Sequence, residues 1–357
     1  MVKRKPHQLQ KLTLLECPLL DTLNTSDTAL VSLASLDIRQ RVFGSSVSRK
    51  IHELCPNIVQ LRITALLVDD AAVAKLIVHM KQNTLNKLRI NGTLKSISLI
   101  THSLVQHHLE SFEGFSIDMN PGDIQEDVVD PSVNSGILLL SRLPNLKSLT
   151  LKGMYVNTEM VTDIGQQCTK LSSIHLSGPY VATGAAEILI TKLGKRLTEL
   201  TLNIEERCLG RVLLLLSKHC PNLQKLDIGG MEFDCAQIIK LAMTCPQLSH
   251  VVLGHPLYAP TMAYNEMVRS LTANCSRLEY LNLYRVYLGP QIVRHLLGHS
   301  SLKKVILPIP LLHSPAFNQE VIQCKTALLG EQGVFELAGT GARVITISSG
   351  LIGTACR

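Results

Sequence analysis

The amino-acid sequence predicts an α/β solenoid, in which short parallel strands alternate with helices along a stack of repeated units. Three observations support this class. An apolar pattern returns at steps of about 25 residues, leucine makes up 61 of the 357 residues, and aromatic residues reach only 4%, with no tryptophan. One such unit cannot bury its own apolar face, so neighbouring units stack and share an aliphatic core.

The repeated pattern is apolar-x-x-apolar-x-apolar, which at this period is typical of a leucine-rich repeat. Its last two apolar residues are two apart, so in a strand they point to the same side, toward the core, and the residue between them points outward. The first residues of the copies are Leu9, Leu33, Ile58, Leu85, Leu146, Leu171, Leu197, Leu223, Leu248, Leu278 and Leu302, with a less regular copy at Ala342.

The segments between the strands predict short amphipathic helices that return the chain to the start of the next strand. Proline cannot continue a helix, and it restricts the residue before it, so a recurring Cys-Pro pair marks the helix ends. We therefore expect about 11–12 repeats in a curved horseshoe, with parallel strands on the concave face and helices on the convex face. The clearest helices are predicted at 161–168, 212–220, 238–245 and 267–275.

The link from helix to strand carries a second motif, Cys-Pro-Asn-Leu and its variants. Its copies begin at Cys55, Cys168, Cys220, Cys245 and Cys275. This motif resembles the cysteine-containing repeats of F-box/leucine-rich-repeat proteins, the substrate receptors of cullin–RING ubiquitin ligases. The resemblance implies a protein-recognition role, with a Skp-type adaptor and a cullin as further partners wherever a longer form supplies an F-box.

Two features depart from the pattern of that family. A second cysteine after the last strand leucine is matched loosely by Cys17 alone. No F-box is recognisable, because repeat-like sequence already begins at Leu9. Two interpretations follow: the chain is a relative without an F-box, or an N-terminal part precedes it.

Charge and repeat register divide the chain into four predicted blocks. The net charge of +7 hides an uneven distribution, since residues 101–140 contain seven acids and neither Lys nor Arg. The blocks are an N-terminal repeat block at 1–108, an acidic inserted loop or irregular repeat at 109–145, a regular repeat block at 146–307 and an irregular C-terminal repeat or cap at 308–357.

The outward strand positions are the candidate surface for a protein partner, and the alternative is an ordinary solvated face. Tyrosine and arginine are enriched at interface hot spots, and both occur here. They form two predicted clusters: the basic patch of Arg62, Lys87 and Arg89, and the tyrosine patch of Tyr280, Tyr284, Arg285 and Tyr287. The full set of candidate partner-binding residues is Arg62, Lys87, Arg89, His175, Glu199, Lys225, Asp227, His250, Tyr280, Asn282, Tyr284 and Arg285.

The sequence shows no motif for catalysis or metal binding. It contains no Cys-x-x-Cys pair and no P-loop, so we expect no catalytic, cofactor-binding or metal-binding residue and no enzymatic role. The longest apolar run, 212–216, is far shorter than the roughly 18 residues that span a bilayer. No signal peptide is recognised either, so we expect reduced thiols, a location in the cytoplasm, the nucleus or both, and no membrane partner.

The leading hypothesis is a protein-interaction scaffold, whose specific form is substrate recognition for an SCF-type ubiquitin ligase. One alternative is a leucine-rich-repeat regulator or assembly factor unrelated to ubiquitin. Nucleic-acid binding is less favoured, because few aromatic rings accompany the basic residues. A thiol enzyme would need a cysteine outside the repeat positions together with a histidine that the sequence does not identify. Those cysteines are Cys208, Cys235, Cys324 and Cys356.

Overall fold

The chain divides into two compact units, Met1–Lys192 and Leu193–Arg357. Both consist of repeats of one strand and one helix, so the fold is the predicted leucine-rich-repeat solenoid. The computed structural model describes residues 9–16, 30–119, 136–182, 184–204, 209–307, 311, 314–316, 319, 335–338, 343–347 and 352–356.

In its described residues, the first unit contains a sheet of seven parallel strands in chain order. Equivalent pattern positions lie in register, as Leu36 lies opposite Leu61 and Ile38 opposite Ile63. The strands are β1 (Lys11–Leu15), β2 (Ser35–Phe43), β3 (Gln60–Val68), β4 (Lys87–Thr93), β5 (Gly114–Asp118), β6 (Ser148–Lys152) and β7 (Ser173–Ser177).

Burial alternates along these strands as the pattern predicts. In β3, Leu61 and Ile63 are buried, whereas Arg62 between them is half-buried on the outward side. Each fully buried aliphatic side chain contributes about 1.5–3 kcal/mol to folding. The side chains that alternate with the buried ones point away from the core. They line the other face of the sheet, which we call the open face.

Helices follow the strands of the first unit, and side chains cap several of them. The Asp69 carboxylate accepts hydrogen bonds from the amides of Ala71 and Ala72, and Asn157 accepts one from Met160. Such caps satisfy amide groups that have no partner within the helix. The helices are α1 (Ser45–Leu54), α2 (Asp70–His79), α3 (Ser98–His107), α4 (Gly136–Leu139), α5 (Thr158–Gln167) and, at the end of this unit, α6 (Ala185–Leu193).

One repeat strand was not predicted. Strand β5 lies within the interval 109–145, where Phe112, Phe115 and Ile117 occupy the three apolar pattern positions and are buried. Phenylalanine replaces leucine at two of them, which obscured the copy. Residues 120–135 of the interval lie outside the described residues, and the boundaries of the four predicted blocks remain predictions.

The second unit begins with six parallel strands among its described residues, followed by two antiparallel ones. The predicted copy at Ala342 is wrong as a repeat, because Arg343–Ile347 runs antiparallel to Phe335–Ala338. The strands are β8 (Glu199–Asn203), β9 (Lys225–Phe233), β10 (His250–Pro256), β11 (Tyr280–Asn282), β12 (Lys304–Ile306), β13 (Phe335–Ala338), β14 (Arg343–Ile347) and β15 (Ile352–Cys356).

The helices of the second unit end where the Cys motif predicts. Asp234 caps α8 by accepting a hydrogen bond from the amide of Ala236. Each of the last residues of α7, α8 and α9 immediately precedes a motif cysteine. The helices are α7 (Leu209–His219), α8 (Cys235–Thr244), α9 (Thr261–Asn274) and α10 (Ile292–Leu297).

The motif cysteines form a buried ladder of thiol donors. The Sγ of Cys245 lies 3.2 Å from the carbonyl oxygen of Cys220, and the Sγ of Cys275 lies 3.8 Å from that of Cys245. Burial raises the pKa of Cys245 to about 11 and that of Cys275 to about 12, so both thiols stay protonated and donate. Their role in this ladder is structural, as the repeat spacing predicts.

The asparagine of the motif also joins neighbouring repeats. The Nδ2 of Asn57 donates to the carbonyl oxygen of Val31 at 2.8 Å, and the Nδ2 of Asn222 donates to that of Lys195 at 2.8 Å. Each contact ties a turn to the turn one repeat earlier. The Pro-Asn pair thus stops a helix and satisfies a backbone acceptor of the preceding turn.

Candidate functional site

The strand register aligns the outward residues of the first unit into two columns on the open face. Because parallel strands pair equivalent positions, Arg62 lies directly opposite Arg89, and Gln60 lies opposite Lys87. The central column is Thr13, Asp37, Arg62, Arg89, Ser116, Thr150 and His175, and the neighbouring column is Lys11, Ser35, Gln60, Lys87, Gly114, Ser148 and Ser173.

A groove of about 310 Å³ runs across these columns over β1 to β6. We call it the basic groove, because four of its lining residues are cations and one is a carboxylate. The predicted basic patch lies inside it. Its polar lining residues are Lys11, Arg62, Lys87, Arg89, Asp37, Gln60, Ser35, Ser116, Ser148 and Thr150.

The positive charge of the basic groove is largely unpaired. Asp37 is already engaged, since its carboxylate binds the guanidinium of Arg39 at 3.0 Å. Within the described residues, none of the four lining cations forms an ion pair. The groove therefore presents a local excess of positive potential to solvent.

Several buried polar atoms of the basic groove lack a hydrogen-bond partner among the described residues: Arg62 Nε, Ser116 Oγ and the Oδ1 oxygen of Asp37. Most buried polar atoms in proteins are paired, so an unpaired group calls for an explanation. Arg62 Nε and Ser116 Oγ are hydrogen-bond donors, whereas Asp37 Oδ1 is an acceptor, and all three atoms lie beneath the surface of the groove.

Gly114 forms part of the groove wall. A Cβ atom at this position would lie 2.9 Å from Ser148 Oγ and 3.1 Å from Lys87 Cγ. The absence of a side chain thus leaves room for the Lys87 stem and for the hydroxyl of Ser148. Gly114 and Ser116 are not among the site residues predicted from the sequence, because the strand that contains them was not predicted.

His175 lies on β7, beyond the lining of the basic groove. Burial, together with the nearby positive charge of Lys152, lowers the pKa of His175 to about 4. Lys152 is itself paired with Asp118 at 3.2 Å. His175 is therefore neutral near pH 7 and adds no positive charge to the open face.

In the second unit, the predicted charged residues satisfy one another. Lys225 Nζ lies 2.6 Å from Glu199 Oε1, and the two residues are register partners on β8 and β9. Asp227, two residues after Lys225 on β9, accepts a hydrogen bond from the amide of Gly229 at 3.0 Å. This part of the open face has little uncompensated charge.

Two ring contacts involve residues of the tyrosine patch, one of them with His250. The rings of His250 and Tyr280 stack with centroids 5.9 Å apart. The guanidinium of Arg285 lies 4.7 Å from the centre of the Tyr284 ring and also contacts His255. Ring stacking and the cation–π contact hold these side chains in place.

Asn282 and Tyr287 complete the description of this patch. The Oδ1 of Asn282 accepts a hydrogen bond from the amide of Tyr284 at 3.1 Å, so it shapes the turn after β11. The Tyr287 side chain is 71% exposed and available to a partner. Position and exposure agree with the predicted surface, although its partner-binding role remains a prediction.

The loop after β10 and the start of α9 contain exposed apolar residues that were not predicted as a site. Leu257, Tyr258 and Met262 are all exposed, and Tyr258 has no shielding at all. Tyr264 fixes this loop, because its hydroxyl accepts from the amide of Ala259 and donates to the carbonyl of Leu257. The sequence signal for the loop is the long step from Leu248 to Leu278.

The described residues contain neither a metal-binding cluster nor a membrane-spanning helix. Across the described residues, no group of three or more His, Cys, Asp or Glu side chains is arranged to hold a metal ion. No helix in the described part of the chain has both the length and the apolar character needed to cross a bilayer.

The fold and the polar open face define the class: a leucine-rich-repeat protein. No family model matches the sequence, and no curated protein matches it either. Among solved structures, the chain is similar to one in the crystal structure of the Rad7 and Elc1 complex in yeast. The match has 18% identity and a TM-score of 0.58, and it covers 84% of this chain and 76% of that one.

An internalin from Listeria monocytogenes also matches, with 14% identity over 70% of this chain and 67% of that one. Its TM-score of 0.38 is too low to support an argument. At these identities the comparisons bear on the fold alone. The match to the structure of the Rad7 and Elc1 complex agrees with the leucine-rich-repeat architecture that the sequence predicts.

Proposed function

We propose that the chain is a protein-interaction scaffold that binds a partner protein on the open face of its first unit. The observation that carries this proposal is the basic groove, where four unpaired cations lie beside buried donors without partners. A repeat stack offers a broad, rigid surface of this kind to other proteins. The tyrosine patch is a second proposed contact surface, in the second unit.

The specific form of the proposal is substrate recognition for an SCF-type ubiquitin ligase. Two observations support it. The Cys-Pro-Asn-Leu motif resembles the repeats of F-box/leucine-rich-repeat proteins, and the similar fold in yeast occurs in a complex of two proteins, Rad7 and Elc1. This form predicts a Skp-type adaptor and a cullin as further partners and places the chain in the cytoplasm or nucleus. The alternative is a regulator or assembly factor unrelated to ubiquitin.

Affinity capture of the tagged full chain, followed by mass spectrometry, tests both levels of the proposal. A scaffold should capture a discrete partner protein, and the charge-reversed variant Arg62→Glu/Arg89→Glu should lose it. Recovery of a Skp-type adaptor and a cullin would support the ligase form, whereas a partner recovered without them would support the alternative. A chain that captures no discrete protein would contradict the scaffold proposal itself.

A further inference from the structure

The basic groove has a charge surplus that its own residues do not neutralise. Lys11, Lys87 and Arg89 are exposed, and Arg62 is half-buried. The single lining carboxylate, Asp37, is bound to Arg39. A concave surface with this surplus attracts an anionic ligand and orients it as it approaches.

The spacing of the cations indicates an elongated ligand with several charges. Lys11 lies on β1, Arg62 on β3, and Lys87 and Arg89 on β4. Neighbouring strands are about 4.8 Å apart, so the cations spread over roughly 14 Å across the strands. A single small ion would reach only part of this width.

Arginine geometry suits anionic groups that present two oxygen atoms. Arg62 and Arg89 are register partners, so they lie at neighbouring positions of adjacent strands. A guanidinium binds a carboxylate or a phosphate through two parallel hydrogen bonds. In an unmodified partner protein, the side-chain carboxylates of Asp and Glu are the groups of this kind.

The lining favours a protein over a nucleic acid. Among the described residues that line the groove, Phe115 is the sole aromatic residue, and its side chain is buried in the core. Single-stranded nucleic acids bind through exposed rings on which the bases stack. The groove has cations and hydroxyls but no such platform.

We propose that the basic groove binds an acidic segment of the partner protein in extended conformation. This inference rests on the proposed scaffold function and names the chemical class of the partner. In an extended chain, alternate side chains point to the same side. A segment with acids at every second residue therefore turns all of its carboxylates toward Lys11, Arg62, Lys87 and Arg89.

A labelled peptide of alternating Glu and Ser tests the inference directly. Fluorescence anisotropy with the full chain should detect binding of this peptide, and a Gln-Ser peptide of the same length should not bind. Added salt should weaken the binding, because it screens exposed charges. Failure of the Glu-Ser peptide to bind at low salt would overturn the inference.

Variants locate the binding on the protein. Lys87→Glu/Arg89→Glu changes two exposed residues, and we expect it to weaken peptide binding roughly tenfold or more. The matched control Lys81→Glu/Lys95→Glu makes the same charge change at two exposed lysines outside the groove lining. It should leave binding within about twofold of wild type, as general charge effects on screened surfaces are small. Circular dichroism and thermal unfolding check that both variants fold.

Three outcomes would count against an acidic segment. Equal weakening by both variants would indicate a general charge effect instead of a site. Tighter binding of a single-stranded oligothymidine at the same salt would indicate a nucleic-acid partner. A captured partner that the Lys87→Glu/Arg89→Glu variant still retains would overturn this inference and leave the scaffold proposal standing, which separates the two failures.

Discussion

At the scale of single residues, His108 and His175 serve as neutral polar groups. His108 is fully buried, accepts a hydrogen bond from the amide of Leu85 and contacts the carbonyl of Ile77 through Nε2 at 3.1 Å. Burial lowers its pKa, as it does for His175. A buried neutral imidazole can satisfy one donor and one acceptor at once, which suits the space between two repeats.

His175 should make the stability of the protein depend on pH. Its pKa is about 4 in the folded chain and near 6.5 when unfolded, so between these values the unfolded state binds more protons. Stability should therefore fall as the pH drops from 6.5 toward 4. The variant His175→Gln should show a shallower fall in urea unfolding measured across this range.

The matched control for this measurement is His102→Gln, which changes an exposed histidine on α3. The free energy of unfolding of this variant should depend on pH as that of wild type does, because His175 and the acidic residues of the chain are the same in both proteins. A His175→Gln profile that superimposes on wild type would show that His175 has its ordinary pKa in the folded protein.

At the scale of elements, strand ends and turns depend on glycine at particular positions. Strand β4 contains Gly92 with a φ of +142°, opposite an irregularity in the register with β3 between Thr64 and Leu67. A Cβ atom at Gly92 would lie 1.8 Å from the carbonyl oxygen of Ala65. Both the backbone angle and the contact exclude a side chain here.

Gly92→Ala should therefore destabilise the chain by more than about 1 kcal/mol, because the φ angle and the backbone contact both oppose it. Gly44→Ala is the matched control. Gly44 has an extended backbone with a φ of −132°, and a Cβ atom there meets nothing within 4 Å. Gly44 is the N-cap of α1, where alanine is less favoured than glycine, so we expect a loss of stability in urea unfolding below about 1 kcal/mol. Equal effects of the two substitutions would contradict this account.

At the scale of the whole molecule, the first unit depends on a run of buried pattern residues that extends from β2 to β7. In the first unit, Phe115 connects Leu88 of β4 with Leu149 of β6 in the register. It is 1% exposed, and its ring lies 6.4 Å from that of Phe112. Strand β5 therefore supplies part of the wall of the basic groove as well as part of the core. One element thus contributes both to packing and to the proposed binding surface.

Phe115→Ala should cost about 3–5 kcal/mol, the usual range for a buried aromatic residue. Glu110→Ala, an exposed position just before the strand, should change stability by less than about 0.5 kcal/mol. Chemical denaturation of both variants checks the contrast. A small effect of Phe115→Ala would mean that the start of the acidic interval is a solvated loop, as the sequence alone suggested.

The leucine-rich repeat can be recognised from the sequence alone. The spacing of leucines sets which residues face the core, because side chains alternate along a strand, and Cys-Pro sets where helices end. These local rules were enough to place most strands and the ends of the helices predicted at 161–168, 212–220, 238–245 and 267–275. The first residues of those helices lie three to six positions earlier than predicted. The rules failed where phenylalanine replaced leucine in β5 and where β14 reversed direction, since pairing direction is not encoded in apolar spacing.

Which outward residues belong to the proposed site depends on contacts that the sequence does not show. Arg62 and Arg89 are 27 positions apart in the chain and become neighbours through strand register. Glu199 and Lys225 looked equally promising in sequence, yet they neutralise each other at 2.6 Å. Charge pairing and burial depend on contacts between repeats, so the unpaired cations of the basic groove emerge only when the strands are side by side.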